Sequence, residues 1–464
     1  MNIEVVKKLI KKHVPYHSDV ISKSIISERY YKNKNDILFK TSNREEEETE
    51  NPLRNADNRI SSSFYSLLVN QKASYLFTYP PTFDVSNNRT NKAITEVLGD
   101  IYPKICKDLC INASNSGVSW LHLWKDKDSK LNYGVVDSKQ VIPLWSSDLN
   151  KKLIGVLRVY DEIDENGDNY IIYEYWTDTE CQAYRKLDDL DIDELEVYNM
   201  FSITYGNGDI LDNSNTLKHD FGELPFIPFF NNNIKTSDLD TVKSLIDTYD
   251  KVFSGFVNDL EDIQEIIFIL TNYGGTDLKS FLEDMKKYKT VEVESNGMDD
   301  KSGLSTLTID IPVEAREKLL MMTRKAIFEQ GQGVDPQPTD FGNASGVALK
   351  YLYSLLELKA GLMETEFKLS FGKLIRMICK SLNLECNIVN QTWTRNAIAN
   401  DLELAEICAK SVGIVSDKTV CKNSPIVEDV EYEIAQIKKE KEEAQKEYDD
   451  LIPTNNQDGV IDET

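Results

Sequence analysis

Histidine is nearly absent from this chain. Four occur in 464 residues, His13, His17, His122 and His219. None stands near a cysteine or serine in an order that nucleophilic catalysis would need, so the commonest general base has no partner. Seven cysteines, an odd number without regular spacing, give no disulfide framework. Cys106 and Cys110 lie four apart in a helical pattern, but a metal there would lack further ligands. They read as buried, reduced thiols in a reducing cytoplasm. The phosphate-cradling pattern G-x-x-x-x-G-K-[ST] is missing, as is the G-x-S-x-G elbow. Gly331-x-Gly333 follows a helical stretch instead of joining a strand to a helix, and reads as a helix C-cap. No apolar run approaches the ~18 residues of a membrane helix, and Ile266 to Leu270 is far too short. Met1 to Ile10 carries Lys and Glu and has no signal-peptide core. No catalytic residue, cofactor or metal, and no membrane partner, is expected.

Cations are the minority charge. Lys and Arg total 53 against 78 Asp and Glu, a net charge of −25. Affinity for phosphate comes mainly from Lys and Arg displacing counterions, so this chain is not built to wrap a nucleic acid. A field of this sign favours sliding over gripping. What is present suffices for a folded protein. Apolar residues make up 41% and aromatics 9%, and the length allows two or three domains.

Along the chain, residues 3–30 read as amphipathic helices, with Ile3, Val6, Leu9 and Ile10 on one face. Glu45 to Glu50 is an acidic loop. Helices are expected over 60–76, stopped by Pro80-Pro81, and over 90–116, ended by Gly117. The period then changes to two. Val118–Trp124, Leu131–Val136, Val141–Trp145, Ile154–Tyr160 and Tyr170–Trp176 read as an antiparallel meander, with Asn166-Gly167 as a hairpin turn. Asp164, Asn166 and Asp168 suggest a calcium loop, but the Gly and distal Glu that an EF-hand needs are misplaced. Pro225 and Pro228 mark an extended linker.

From Ser237, a plausible N-cap, Leu239, Val242, Leu245, Ile246, Tyr249 and their successors to Ile267 recur at helical spacing. They predict one helix of about 30 residues, against a usual ~11–12. A small α/β insert follows, with a helix near 277–288 and strands at 290–294 and 304–310. Pro312 opens a second long helix to 328 or 330. A Pro/Gly/Asp loop then leads to a third long helix from Ala344 to about Leu382. Residues 396–448 are helical again, and the chain beyond Pro453 reads as disordered.

Ala326-Ile327-Phe328-Glu329-Gln330-Gly331-Gln332-Gly333-Val334-Asp335-Pro336, with Phe341-Gly342-Asn343-Ala344-Ser345-Gly346-Val347-Ala348-Leu349-Lys350 and Leu355-Leu356-Glu357-Leu358-Lys359-Ala360, resembles the portal family of long-tailed phages of Gram-positive hosts. Val69 to Leu76, Gly155 to Tyr160, Phe256 to Asp262 and Tyr273-Gly274-Gly275 are similar to the same family, in the same order. The match covers roughly residues 50–400. Thr78-Tyr79 departs from it, where the family often has Gly.

The resemblance implies an α+β portal fold. It has a mixed wing (1–236), a two-helix stem (237–269 and 311–333), a small α/β clip (270–310), a tunnel loop (334–343), a long tunnel helix with a return to the wing (344–395), a helical crown (396–450) and a tail (451–464). It implies a closed homo-oligomeric ring, twelve-fold in the virion, sitting at one capsid vertex and assembled in the host cytoplasm. Double-stranded DNA passes through it. The terminase large subunit and a head-completion adaptor dock on the clip, and scaffold and major capsid protein surround the ring. Asp335, Gln337, Thr339, Asp340, Asn343 and Lys350 would face the channel. Gln337, Thr339 and Asn343 offer neutral hydrogen bonds, and Lys350 is the nearest cation. Gly331, Gly333, Gly342 and Gly346 would be hinges. The rivals are a tail or baseplate protein without DNA contact, and a packaging nuclease or ATPase.

Overall fold

The computed structural model of the protein describes residues 2–39, 56–204, 210–263, 267–271, 303–307, 312–336, 350–396, 401–427 and 429–451. They belong to two compact units. One comprises Met1–Asp335 and Leu355–Asn396, the other Pro336–Ser354 and Ala397–Thr464.

The first unit begins with α1 (Ile3–Tyr31), one helix of 29 residues capped by the Asn2 side chain, which accepts from the Glu4 amide at 3.0 Å. Val6 and Ile10 are buried, as their spacing foretold. α2 (Phe64–Phe77) buries nine of its 14 residues and leaves only a narrow polar stripe, Asn70 and Ser74, exposed. β1 (Thr82–Asp84) follows. Where one helix was expected over 90–116, there are two, α3 (Asn88–Leu98) and α4 (Tyr102–Ser116). Gly99 separates them at φ +56°, and Pro103 sits in the first turn of α4, where its missing amide costs nothing.

The strands form two main sheets instead of one meander. β2 (Val118–Lys125) and β3 (Leu131–Val136) make a hairpin. β4 (Val141–Trp145), β5 (Leu153–Ile163), β6 (Asn169–Trp176) and β7 (Glu180–Leu187) form the meander proper. β8 (Glu196–Val197) adds to β7, and β9 (Phe201–Thr204) pairs with β10 (Ile210–Ser214) in a separate ribbon. β11 (Thr216–Lys218) also pairs with β7. The β5–β6 turn is the expected Asn-Gly turn. Gly167 is at φ +90°, and Asp164 Oδ1 accepts from the amides of Asn166 (2.8 Å) and Asp168 (2.9 Å). That carboxylate is used to build the turn, which accounts for the Asp/Asn pattern without calcium.

The Pro225/Pro228 segment corrects the linker reading. It contains β12 (Phe226–Phe230), which pairs with β2 at the edge of a three-stranded sheet ordered β12-β2-β3. An edge strand tolerates Pro228 because one side of it donates to no neighbour. Trp120, Val156, Trp176, Cys181 and Phe226 close the space between the two sheets.

α5 (Lys243–Ile263) is shorter than the single helix expected to 269. Ile267–Thr271 is instead a strand, β13, antiparallel to β14 (Gly303–Leu307). Helical spacing continues through Ile267, but Ile266-Ile267-Phe268-Ile269 is a β-branched and aromatic run, which prefers a pleated surface once a partner strand exists. The insert helix expected near 277–288 and the strand at 290–294 lie outside the described residues. α6 (Val313–Gln330) returns antiparallel to α5, and α7 (Ser354–Ser381) is the third long helix. β15 (Asn390–Thr392) pairs with β1.

The second unit contains α8 (Asp401–Ser411), α9 (Asp417–Asn423) and α10 (Val430–Leu451). They are short-linked helices, as the sequence indicated. The tail beyond 451 lies outside the described residues.

A single glycine fixes how α4 meets the chain entering α5. Gly117 is at φ +76°, and a Cβ on it would lie 2.2 Å from the Lys235 carbonyl oxygen. Gly117→Ala combines backbone strain with a collision against main chain. It should cost roughly 2 kcal/mol or more in chemical denaturation.

Candidate functional site

A buried cluster of charged and polar side chains lies where α5 begins and α6 ends. Ser237 caps the entering turn, as expected, accepting from the Leu239 amide at 3.1 Å. Leu239, Val242 and Ile246 then pack with Tyr30, Tyr65, Leu68, Ile327 and Phe328 into one apolar cluster. Asp238, a residue whose position in a first helical turn suggests a solvent-facing role, points inward instead. Lys72 of α2 donates to it at 2.6 Å, and the Asn231 amide at 2.8 Å. The Lys359 ammonium of α7 lies 3.2 Å away. Burial pushes the Asp238 carboxyl upward, but Lys359, Lys72 and Asn231 outweigh it and hold it well below the usual carboxylate range. Burial lowers the Lys359 ammonium, and Asp238 opposes that fall.

Lys359 also donates to the Gly331 carbonyl at 2.9 Å, at the C-terminal end of α6, where a cation complements the helix dipole. The same end is closed by a Schellman arrangement. The Gly333 amide bonds to Phe328 O at 3.0 Å and the Gln332 amide to Glu329 O at 3.3 Å. The left-handed residue of this cap is Gln332, at φ +52°, and neither flanking glycine has a positive φ. Those glycines are needed for space. A Cβ at Gly331 would lie 2.5 Å from Leu68 Cδ1, and one at Gly333 would lie 2.3 Å from Leu68 Cδ2. The C-cap reading of Gly331-x-Gly333 therefore stands. As for the hinge reading, both positions serve here as contacts against α2.

Close approach by α2 lets Gln71 pair with the next residue as a strand would. Its Nε2 donates to Val334 O at 2.6 Å, and its Oε1 accepts from the Val334 amide at 3.0 Å. Asp335, expected in the channel, is held by the Arg324 guanidinium through two bonds of 3.1 and 2.7 Å, the planar match of fork to carboxylate. The root of the Pro/Gly loop is thus fixed three times, at Gly331, Val334 and Asp335. Gln337, Thr339, Asp340 and Asn343, with Gly342 and Gly346, lie outside the described residues. Lys350 is exposed, in the second unit.

Sequence reasoning did not single out Gln71, Lys72, Arg324 or Lys359. One signal was available: Lys72 is the only charge in a largely apolar helix, three residues beyond Val69 and four beyond Leu68 on its buried face. None of the histidines makes a reactive site. His122 is half-buried, its pKa lowered to about 4 by desolvation, and its Nδ1 is 2.9 Å from Pro225 O, so the ring is a neutral structural donor. Among the described residues no cluster of three His, Cys, Asp or Glu is placed to hold a metal, and no helix is long and apolar enough to cross a membrane.

A family model described as "Phage portal protein, SPP1 Gp6-like" matches residues 12–447. The portal protein of Clostridium phage phiCD119 is 41% identical over 469 residues, covering 97% of this chain and 99% of that protein. The portal protein of Bacillus phage SPP1 is 28% identical over 452 residues, covering 94% and 86% respectively. Among solved structures, a chain from the neck of a native GTA particle computed with C12 symmetry aligns with a TM-score of 0.41 and 13% identity, over 77% of this chain and 88% of that one.

Asp238→Ala would leave two buried ammonium groups facing each other and should cost about 3–5 kcal/mol. Lys359→Met leaves a matched Lys72–Asp238 pair and one unsatisfied carbonyl, for about 1–3 kcal/mol. Because the folded-state pKa of Asp238 is depressed, its contribution is fully present above the unfolded value of about 3.9 and is lost as pH falls through the folded one. Urea titrations from pH 7 down to pH 2 should therefore show a shallower acid limb in Asp238→Ala than in the wild type.

Proposed function

The chain belongs to the SPP1 Gp6-like phage portal protein family, and from that membership we propose how it performs the portal function. The family match over 12–447 is the observation that carries this reading. In it, identical subunits close into a ring, twelve-fold in the virion, at one vertex of the capsid. Double-stranded DNA enters through the ring during packaging and leaves through it at ejection. α5 and α6 form the stem. The region between them, roughly 270–310, is the clip on which the terminase large subunit and a head-completion adaptor dock. Residues 1–236 with the return to β15 form the wing, and α8 to α10 form the crown. Scaffold and major capsid protein contact the ring as the shell assembles in the host cytoplasm.

We read the chain as a conduit without catalysis of its own; the ATPase of the motor is a separate protein. A net charge of −25 per subunit suits that role, since a wall with few cations does not trap the duplex in transit. The loop after Pro336 is placed beside the DNA. Its root supports that reading: Gln71, Arg324 and Lys359 hold the main chain at 331–335 against α2, α6 and α7. A loop that reaches into a channel needs such an anchor, because only a fixed origin gives the tip a defined radius. Asp335 is part of the anchor, which leaves Gln337, Thr339, Asp340 and Asn343 as the proposed DNA-facing positions, with Lys350 as the nearest cation.

Negative-stain images of the purified protein should show rings with a central hole wide enough for duplex DNA. A solid rod or a persistent monomer would refute the reading. Gly342→Pro removes the conformational freedom of the loop. It should leave ring formation intact and abolish DNA packaging in a reconstituted prohead assay, whereas normal packaging by this variant would exclude a moving loop.

A further inference from the structure

Two helices of the first unit carry apolar seams that are exposed among the described residues. On α7, Leu358, Leu362, Thr365 and Leu369 succeed one another at spacings of four, three and four. The three leucines are 61%, 56% and 71% exposed. The buried face of the same helix is formed by Leu356, Ala360, Met363 and Phe367, so the exposed leucines are a second apolar face. On α6, Ala315, Leu319, Met322 and Ala326 repeat the four-three-four spacing, with Leu319 44% and Met322 62% exposed. Scattered exposed apolar residues are ordinary, but aligned ones mark a contact surface. Alternating steps of three and four are those of a seam that receives another helix, knobs into holes, at a shallow angle.

We infer that the α7 seam of one subunit packs on the α6 seam of the next and forms the repeating contact of the ring. The inference deepens the portal reading and rests on it. Three observations favour a second copy of this chain as the occupant. The seams are matched in spacing. They differ in size at their ends, Leu358 and Leu369 on one against Ala315 and Ala326 on the other, so knobs face holes there. And they are two distinct faces of one unit, which is what a head-to-tail ring contact joins; a two-fold contact would use one seam twice and leave the other bare.

The test uses the full chain with Leu362→Asp, Leu319→Asp, and an equimolar mixture of the two, sized by mass photometry. Both positions are exposed, and circular dichroism should match the wild type, while melting should fall only by what the lost subunit contact contributed. Each variant alone should be monomeric. The mixture should give one-to-one dimers and no rings, because only the intact α6 of one variant and the intact α7 of the other fit together. Rings from either variant would overturn the inference, as would dimers from Leu319→Asp alone. A second measurement does not depend on disruption. Leu362→Cys combined with Met322→Cys should give a ladder of intersubunit cross-links with a short bismaleimide, beyond any given by the wild type, and rings without that ladder would overturn the contact. A wild-type chain that is itself monomeric would overturn the ring reading, an outcome told apart because no variant is involved.

Discussion

Two ammonium groups and one carboxylate share a dry space under the ends of three long helices, and the rest of the first unit is arranged around them. Lys72 comes from α2, Asp238 from the turn that starts α5, and Lys359 from α7. Asn231, just past β12, bonds to the carboxylate as well. The charges do not balance. The surplus positive charge is met by the Gly331 carbonyl and the negative end of the α6 dipole. Burying ions is costly, and apolar side chains of similar shape often give equal stability. What the ions add is direction. Each bond is satisfied in one placement of its helix, while the surrounding cluster of Tyr65, Leu68, Val242, Ile246 and Phe328 supplies the burial energy without specifying register.

That node sets where the loop starts. α2 must come close enough for Leu68 to fill the space over Gly331 and Gly333, and only then does Gln71 reach Val334. Arg324 reaches Asp335 from one face of α6, above the aromatic rings of Phe64 and Phe328. A helix cap, a side-chain amide, a guanidinium and an ammonium thus converge on five consecutive residues. On the proposed reading, placing the loop at a fixed distance from a ring axis would be comparable to placing a base beside a substrate in an enzyme. The exposed seams on α6 and α7 extend the same logic outward, since those two helices also carry the loop's root.

Much of this was legible in residue patterns, because the signals were local. The face of α1, the Asn166-Gly167 turn, the Ser237 cap, the start of α6 at Pro312 and its end at Gly331-Gln332-Gly333 each depend on neighbours a few residues away. The readings that changed depend on distant partners. Phe226–Phe230 looked like a linker until β2 offered it an edge, and Ile267–Thr271 looked like helix until Gly303–Leu307 lay beside it. The two prolines and the helical spacing were real, but pairing outweighed both. The partner of Asp335, Arg324, eleven residues back across a helix cap, is likewise a matter of geometry that residue patterns do not carry.

The sequence by itself determined the class of protein, through its family fragments. It also determined the order of the long helices. Only the tertiary structure decided what anchors the root of the Pro/Gly loop. Gln71, Lys72, Asp238 and Lys359 are ordinary polar residues in a list, and burial is what gives them a role. A charge on a helix surface is solvated and free to point anywhere, whereas the same charge enclosed must find its partner, and in doing so it fixes the chain around it.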